Sequence, residues 1–537
     1  MSYPLHHPKS AGAVLALLLA TLILCCASPL QARELTAAEA RGKEIYFSGK
    51  SPSGQPILAY FGEELVEIAG EFATCGSCHG YDGLGRPESG VLPSNITWKY
   101  LVKSYGHVHP DGVEHPAFDV ASLKDYMVNG TFPGGAHGDP SMPVYDITEQ
   151  DLDDLIAYMK LVGELYEPGL SDEAIEIGTL LPGQGRLAPL GEAMRGILEA
   201  YFKQVNERGG IYGRRLALAA QSLTDAEEQA AQIRAGFERK EPFALVATFT
   251  PGADHVLQSI AAEKTLPLIG PFTLFLRNTY TQNRYCFALY PGLGDQLRAL
   301  TVYAANDLKL EKRKVAVLHP ADTTALPGAL EAAEEACQAH SWEVVTTLPL
   351  PAGPFDMRTA IAGLKKAGIN LVVFLGMEEQ ALTFLQAADA EKWHPTVLAS
   401  GIFAGRAVAD APEGFAGRLF LAYPTLAKDR QEWGISELSR LMRENQLEPN
   451  HLQATISAYA AAKTLVEALR LAGRDLDRRK LVAVLEKFYQ FETGLTPALT
   501  FSPNRRTGAR GAWIVGQESE AGKQPEAPVE AVWVDLK

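Results

Sequence analysis

A chain that contains Cys75-Gly76-Ser77-Cys78-His79 must fold around a tethered group or leave two reactive thiols beside an imidazole. Cys-x-x-Cys-His is the attachment signature of c-type haem, because each thiol can form a thioether and the adjacent imidazole can reach the iron. A redox dithiol has no need of His79, and a zinc site needs a second ligand pair at suitable spacing. One covalent haem c is therefore expected, with Cys75 and Cys78 as attachment points and His79 as an axial ligand. Downstream, Ser141-Met142-Pro143-Val144-Tyr145 supplies Met142 as the expected sixth ligand. The competing donors are His107, His109, His115 and His137. A lone loop histidine is ordinarily a solvated side chain, and a His/Met pair gives a higher potential than His/His.

The surroundings of Met142 agree. Thr148 can cap a helix with Asp151 at the capping-box position, and Leu152, Leu155, Ile156 and Met159 fall on one helical face. Arg41 to Tyr46 reads as the beginning of an earlier helix that ends near Gly49. Arg41–Tyr46, Cys75–Gly85 and Met142–Met159 together resemble a class I cytochrome c over about residues 35 to 163. The chain departs from that family between Ser51 and Glu71, where many members have only a few residues.

Lys9 and the apolar run from Ala11 to Cys26 read as a signal peptide, residues 1–32, with a cleavage site after Ala32. Cys25 and Cys26 raise lipidation as an alternative, although Leu24 stands where a small residue is expected, and an uncleaved anchor is a further alternative. Haem attachment at this motif takes place outside the cytoplasm in bacteria, so motif and leader both place the protein in the periplasm. With 537 residues, 47% of them hydrophobic, the chain can bury several cores. The formal charge of -15 argues against nucleic acid or anionic lipid as the main partner and is compatible with a basic redox partner. Cys286 reads as part of a strand and Cys337 as part of a helix; two separate buried thiols are expected, although a disulfide is allowed in an oxidising compartment.

Expected boundaries are a haem domain at 34–163, a linker at 164–173 around Pro168-Gly169, and a second domain at 174–537. From Ala174 the pattern changes to β-rich runs at 175–181, 243–248, 267–270, 315–319, 371–375 and 397–400, most of them separated by helical patterns, the first helix being expected over 191–204. Strands alternating with helices imply doubly wound parallel sheets, and the length favours two of them. Gly183-Gln184-Gly185-Arg186-Leu187-Ala188 matches a loose dinucleotide pattern, but Pro182 opens the loop and a lone match is weak.

Ile177-Gly178, Pro182-Gly183-Gln184-Gly185, Gly209 to Arg214, Thr250 to Ala253, Pro267 to Pro271 and Ala458 to Ala462 fall in the order and spacing of Leu/Ile/Val-type (type 1) periplasmic solute-binding proteins. The resemblance spans about residues 174 to 537, with Phe501 beginning the family's last strands. It implies two α/β lobes that close on a small molecule. Positions matching the family's ligand loops are Gln184, Thr250, Gly252, Ala253, Phe272 and Thr273 in the first lobe, and Asp322, Thr323, Met377, Glu378 and Tyr423 in the second. Gly252 and Ala253 stand where hydroxyls for an α-carboxylate are expected, and Leu293 or Gly294 where an acidic partner for an α-ammonium often sits. An unpaired buried ammonium costs several kcal/mol, on the order of a lost buried ion pair. The expected ligand is a small neutral or weakly polar organic molecule.

The fold class expected is thus multidomain: a small all-α cytochrome c domain followed by a two-lobed α/β domain. There is no nucleophile elbow and no second metal motif, and Met142 would close the iron to substrate, so no enzyme is expected. The main expectation is an exported electron-transfer protein with a fused solute-binding module, partnered by a periplasmic dehydrogenase or another cytochrome. The alternative is the receptor of an ABC permease with an accessory haem domain, and a haem enzyme or gas sensor is the third class.

Overall fold

Thr36 accepts the amide hydrogen of Glu39 and Glu39 accepts that of Thr36, and this capping box starts helix α1, Ala37–Ser48. Gly49, at φ +63°, ends it. The computed structural model describes residues 35–536 except 81–82, 86–92, 110–111, 164–166, 225, 277–283, 312, 324–325, 327, 406–409, 475 and 518–530. The leader, Cys25 and Cys26 lie outside the described residues. The chain divides into two compact units, Met1–Leu165 and Tyr166–Lys537.

In the first unit the stretch after α1 folds as an antiparallel hairpin, strands β1 (Leu58–Phe61) and β2 (Val66–Ala69). The haem motif forms the short helix α2, Cys75–His79. There follow α3 (Trp98–Leu101), a two-strand ribbon of β3 (His107–Val108) and β4 (Glu114–His115), and α4 (Val120–Asn129). Strand β5 (Val144–Asp146) and helix α5 (Glu149–Met159) complete the unit. As the pattern requires, Thr148 caps α5 by accepting from the Asp151 amide at 3.2 Å, and Leu152, Leu155, Ile156 and Met159 are buried. Helices α1 and α5 touch at Gly42, where a Cβ would lie 1.9 Å from the Asp154 carbonyl oxygen. Beside it the Arg41 guanidinium forks onto the buried Asp154 carboxylate at 2.6 and 2.9 Å. The helical unit also carries a three-stranded sheet in the order β2-β1-β5.

The second unit begins with β6 (Ala174–Pro182), α6 (Ala188–Glu207), β7 (Arg215–Leu223), α7 (Ala226–Arg239), β8 (Ala244–Val246), α8 (Asp254–Glu263), β9 (Leu268–Ile269) and β10 (Cys286–Phe287). Among the described residues its strands form a five-stranded parallel sheet, β10-β9-β8-β6-β7. The chain then builds a second lobe from α9 (Leu293–Asn306), β11 (Lys314–Pro320), α10 (Ala329–Gln338), β12 (Glu343–Leu350), α11 (Met357–Lys366), β13 (Leu371–Phe374), α12 (Glu378–Ala390), β14 (Thr396–Ser400), α13 (Gly401–Ala404) and β15 (Leu419–Tyr423). It returns to the first lobe for α14 (Glu432–Glu444), α15 (Leu452–Ala472) and α16 (Arg478–Leu485), whose apolar faces share one core with α6, β6 and β8. It ends in the second lobe with β16 (Gly511–Gly516) and β17 (Ala531–Asp535), antiparallel additions to a seven-stranded sheet ordered β12-β11-β13-β14-β15-β16-β17.

Several expectations need adjusting. Helix α6 starts at Ala188 rather than 191, because Pro189 is tolerated in a first turn that needs no amide donor. Phe501 begins no strand; it is buried in the first-lobe core. The segment expected to link the domains is, over its described residues 167–173, packed on the second unit: Glu176 donates its amide to the Gly169 carbonyl at 2.7 Å, and a Cβ on Gly169 would lie 2.1 Å from the Phe243 nitrogen. Cys286 and Cys337 are both free and buried.

Candidate functional sites

The haem motif is held from three sides. The fully buried Tyr46 of α1 donates its hydroxyl to the Gly80 carbonyl at 2.7 Å, immediately after His79. Gly76 leaves room for Phe47, whose ring a Cβ would meet at 2.7 Å. Tyr145 of β5 donates its hydroxyl to the Ala73 carbonyl at 2.8 Å, just ahead of Cys75.

The His79 ring is 6% exposed and its Nδ1 lies 2.8 Å from the Ser94 carbonyl oxygen. A carbonyl can only accept, so Nδ1 carries the proton and Nε2 keeps its lone pair for a metal. Burial pushes the imidazole below its ordinary range, opposed by the Ser94 bond, so the ring stays neutral as a ligand must be. Cys75 and Met142 line one cavity with Ile45, Ile57, Ala73, Met127, Tyr145, Leu152 and Leu155. Apolar walls suit the faces of a porphyrin, and thiol, imidazole and thioether are the donor types a c-type haem needs. The donor types therefore fit the group, with His79 and Cys78 outside the lining of that cavity. Cys78 is exposed, so the attachment motif meets solvent on that side.

None of the four competing histidines is among the residues lining that cavity. His107 Nε2 lies 3.0 Å from the Leu101 carbonyl oxygen. His115 places Nδ1 at 2.7 Å from the Pro116 carbonyl and Nε2 at 3.0 Å from His109 Nε2, while its ring stacks on Phe132 at 4.2 Å. His137 is exposed and pairs through its backbone with Thr131.

In the second unit every expected ligand position lies on a loop or terminus that follows the carboxyl end of a parallel strand. Gln184 follows β6; Thr250, Gly252 and Ala253 follow β8; Phe272 and Thr273 follow β9. Asp322 and Thr323 follow β11, Met377 and Glu378 follow β13, and Tyr423 ends β15. Such ends are where open α/β sheets bind ligands. Gln184, Gly252, Asp322, Thr323 and Met377 are exposed. Thr250 is buried, and its hydroxyl lies 3.4 Å from Asp254 Oδ1; Ala253 is buried in the first-lobe core. The Phe272 ring meets Phe249 edge-on at 5.2 Å, and the Thr273 hydroxyl accepts the Phe275 amide at 3.0 Å. Tyr423 packs against Gly401, where a Cβ would meet its ring. Asp295, beside Leu293 and Gly294, is buried and forms an ion pair with Arg298.

A family profile described as "Periplasmic binding protein" matches residues 174–523. The chain belongs to the periplasmic binding protein family. A second profile, "Cytochrome c", matches residues 67–162, so this binding protein carries a class I cytochrome c domain with one covalent haem c at Cys75-x-x-Cys78-His79. Neither family is catalytic, and both place the protein in the periplasm. Among curated relatives, the Leu/Ile/Val-binding protein homolog 1 of Brucella abortus (strain 2308) is 24% identical over 318 residues, 58% of this chain and 82% of that protein. Among solved structures, a branched-chain amino acid ABC transporter protein from Thermus thermophilus with bound valine matches at TM-score 0.51 and 19% identity, over 68% of this chain and 96% of that one. A fatty acid ABC transporter substrate-binding protein from Thermomonospora curvata matches at TM-score 0.50 and 18% identity, over 68% and 93%. At these identities the structures establish the fold.

Three residues of this binding protein escaped the sequence reading. Asp254 opens α8 directly behind the Thr250–Ala253 loop, and burial pushes its carboxyl up to about 6 against hydrogen bonds from Thr273 and Thr250. Thr248, 1% exposed, and Tyr290, which follows β10, have buried hydroxyls without a partner. Thr248 ends the β-rich run 243–248, and Asp254 and Tyr290 come after strands β8 and β10, positions shared with many inert residues.

Proposed function

We propose that this protein is the solute receptor of an ABC permease whose haem domain is an accessory, and that its ligand is a small neutral or weakly polar organic molecule. The family match over 174–523 and the transporter proteins among its structural relatives favour the receptor reading over electron delivery to a dehydrogenase. The observation that carries the ligand class is Asp254. It occupies the first turn of α8, the helix end at which an α-carboxylate would otherwise find free amides and a positive dipole. A second carboxylate there would face like charge, and Gly252 and Ala253 offer no hydroxyl to relieve it. Asp295, already paired with Arg298, gives an ammonium no free partner. The loops bearing Gln184, Thr250, Phe272, Thr273, Asp322, Thr323, Glu378 and Tyr423 are the proposed ligand contacts. Retention of a neutral organic molecule, identified by mass spectrometry of the purified full-length protein, would support the reading. Micromolar binding of leucine, isoleucine or valine would overturn the ligand argument and leave the receptor standing.

A second reading rests on the haem pocket. Met142 is the proposed sixth ligand, since it alone of the candidate donors lines the cavity with Cys75. His/Met ligation suits electron transfer, to a dehydrogenase or another cytochrome. A haem potential that shifts when the second unit binds ligand would favour this reading, and an unchanged potential the first.

A further inference from the structure

The stretch between α1 and the haem motif does more than connect them. Its strand β1 pairs on one side with β2 and on the other with β5, in the register Leu58–Asp146, Ala59–Tyr145 and Tyr60–Val144. Beyond Tyr60 the contact skips three residues of the partner strand and resumes where the Gly62 amide donates to the Pro140 carbonyl at 3.1 Å. Ser141, Met142 and Pro143 are the skipped residues; Met142 closes a turn by donating its amide to the Asp139 carbonyl at 3.0 Å, and that turn is bracketed by backbone contacts to β1 and to Gly62 just after it.

The base of the hairpin is equally constrained. The Gly70 amide donates to the Ile57 carbonyl at 2.8 Å, and a Cβ on Gly49 would lie 2.0 Å from the Gly70 oxygen, which pins the hairpin to the end of α1. Ile57, Gly70 and Ala73, all from this stretch or its continuation to the motif, line the same cavity as Met142. Tyr145, paired with the fully buried Ala59, ties β5 to Ala73. One short sheet thus joins the haem motif, the cavity wall and the Met142 segment.

We propose that the β1–β2 hairpin is a positioning element that holds Met142 on the haem iron and limits the iron's access to outside ligands. The inference rests on Met142 being the sixth ligand. A thioether is a weak donor, and a strand fixed at both shoulders keeps it from swinging away, whereas a free loop would sample open states.

The hydrogen-bonded ends at Ile57 and Gly70 make the hairpin excisable: residues 58–69 can be replaced by Gly-Gly, leaving the cavity-lining residues in place. In full-length ferric holoprotein, stopped-flow mixing with imidazole reads iron access, the long-wavelength absorption band of methionine-ligated haem reads the bond, and urea unfolding reads global stability. Excision should weaken the band and accelerate imidazole binding about tenfold or more, the factor expected when several net hydrogen bonds flanking the Met142 turn are lost. Gly62→Pro, which removes the amide bonded to Pro140 and cannot hold the φ of +73° found there, breaks this shoulder contact and should accelerate it about threefold or more; it stands as the deciding variant if the excised protein does not mature. A lowered urea midpoint with unchanged band and imidazole rate would overturn the proposal, since the hairpin would then only stabilise the fold. Met142→Ala separates the two claims. If the wild type shows the band, Met142→Ala abolishes it and the hairpin variants do not move it, the ligand assignment survives and the proposal fails; a wild type without the band sinks both.

Discussion

His79 shows how little of a metal site needs to be contiguous. Cysteine and histidine spacing announces the haem, but the group that fixes the imidazole tautomer is the carbonyl of Ser94, and a backbone oxygen leaves no mark in a sequence. Cys78→Ser should cut covalent attachment, so that more pigment leaves the protein on acid-acetone extraction than from the wild type. Met142→Ala should open the ferric iron to imidazole whereas His137→Ala should not, as followed by optical titration. In the second unit Arg478 donates through its guanidinium to the carbonyls of Phe243 and Pro242 and to Glu241, and through its amide to Glu167 at 2.9 Å. Burial pushes the Glu167 carboxyl from 4.5 up to about 7 despite Arg478. The folded chain therefore holds a proton that the unfolded chain has released, and Glu167 makes stability fall as pH rises from about 4.5 to about 7. Glu167→Gln should flatten that part of a plot of urea midpoint against pH. The sequence could not mark Glu167 as special, because its partner lies 311 residues away.

At the scale of elements, the crossing of α1 and α5 depends on Gly42. Gly42→Ala would drive a methyl into the Asp154 carbonyl, and overpacking of this kind costs about 1–3 kcal/mol, measurable as a lower urea midpoint of the haem unit. Helices were legible here because their caps and apolar stripes are local: Thr148 with Asp151, and Leu152 to Met159. The β1–β2 hairpin was not, since β2 is largely exposed and carries no apolar run. The same reason hid β7 and β12, which lie at the edges of their sheets and show alternating exposure, while the central strands β8, β11 and β13 stood out as continuous apolar stretches. The candidate ligand loops were proposed from order along the chain, whereas Asp254, Thr248 and Tyr290 needed burial to be noticed.

At the scale of the molecule, the receptor reading predicts a ligand that binds the folded chain alone. At a hundredfold excess over its dissociation constant it should add about 2.7 kcal/mol of stability, visible as a thermal shift. A panel of alcohols, aldehydes and aromatic compounds should contain a hit, and leucine, isoleucine and valine should give none. The architecture also fixes an order of events. The first lobe is assembled from two stretches separated by the whole of the second, and α6 packs on α15, which is synthesised some 250 residues later. Until α14 to α16 have been made, the part of α6 that faces α15 stays uncovered, although β6 and β7 already cover the rest, and Glu167 waits for Arg478. Loop closure over such distances is slow and leaves sticky intermediates. A chain emerging from the ribosome thus cannot complete its first lobe early, however soon its strands are made, and one that stops after residue 430 should be captured by chaperones or degraded rather than persist as a half-built receptor.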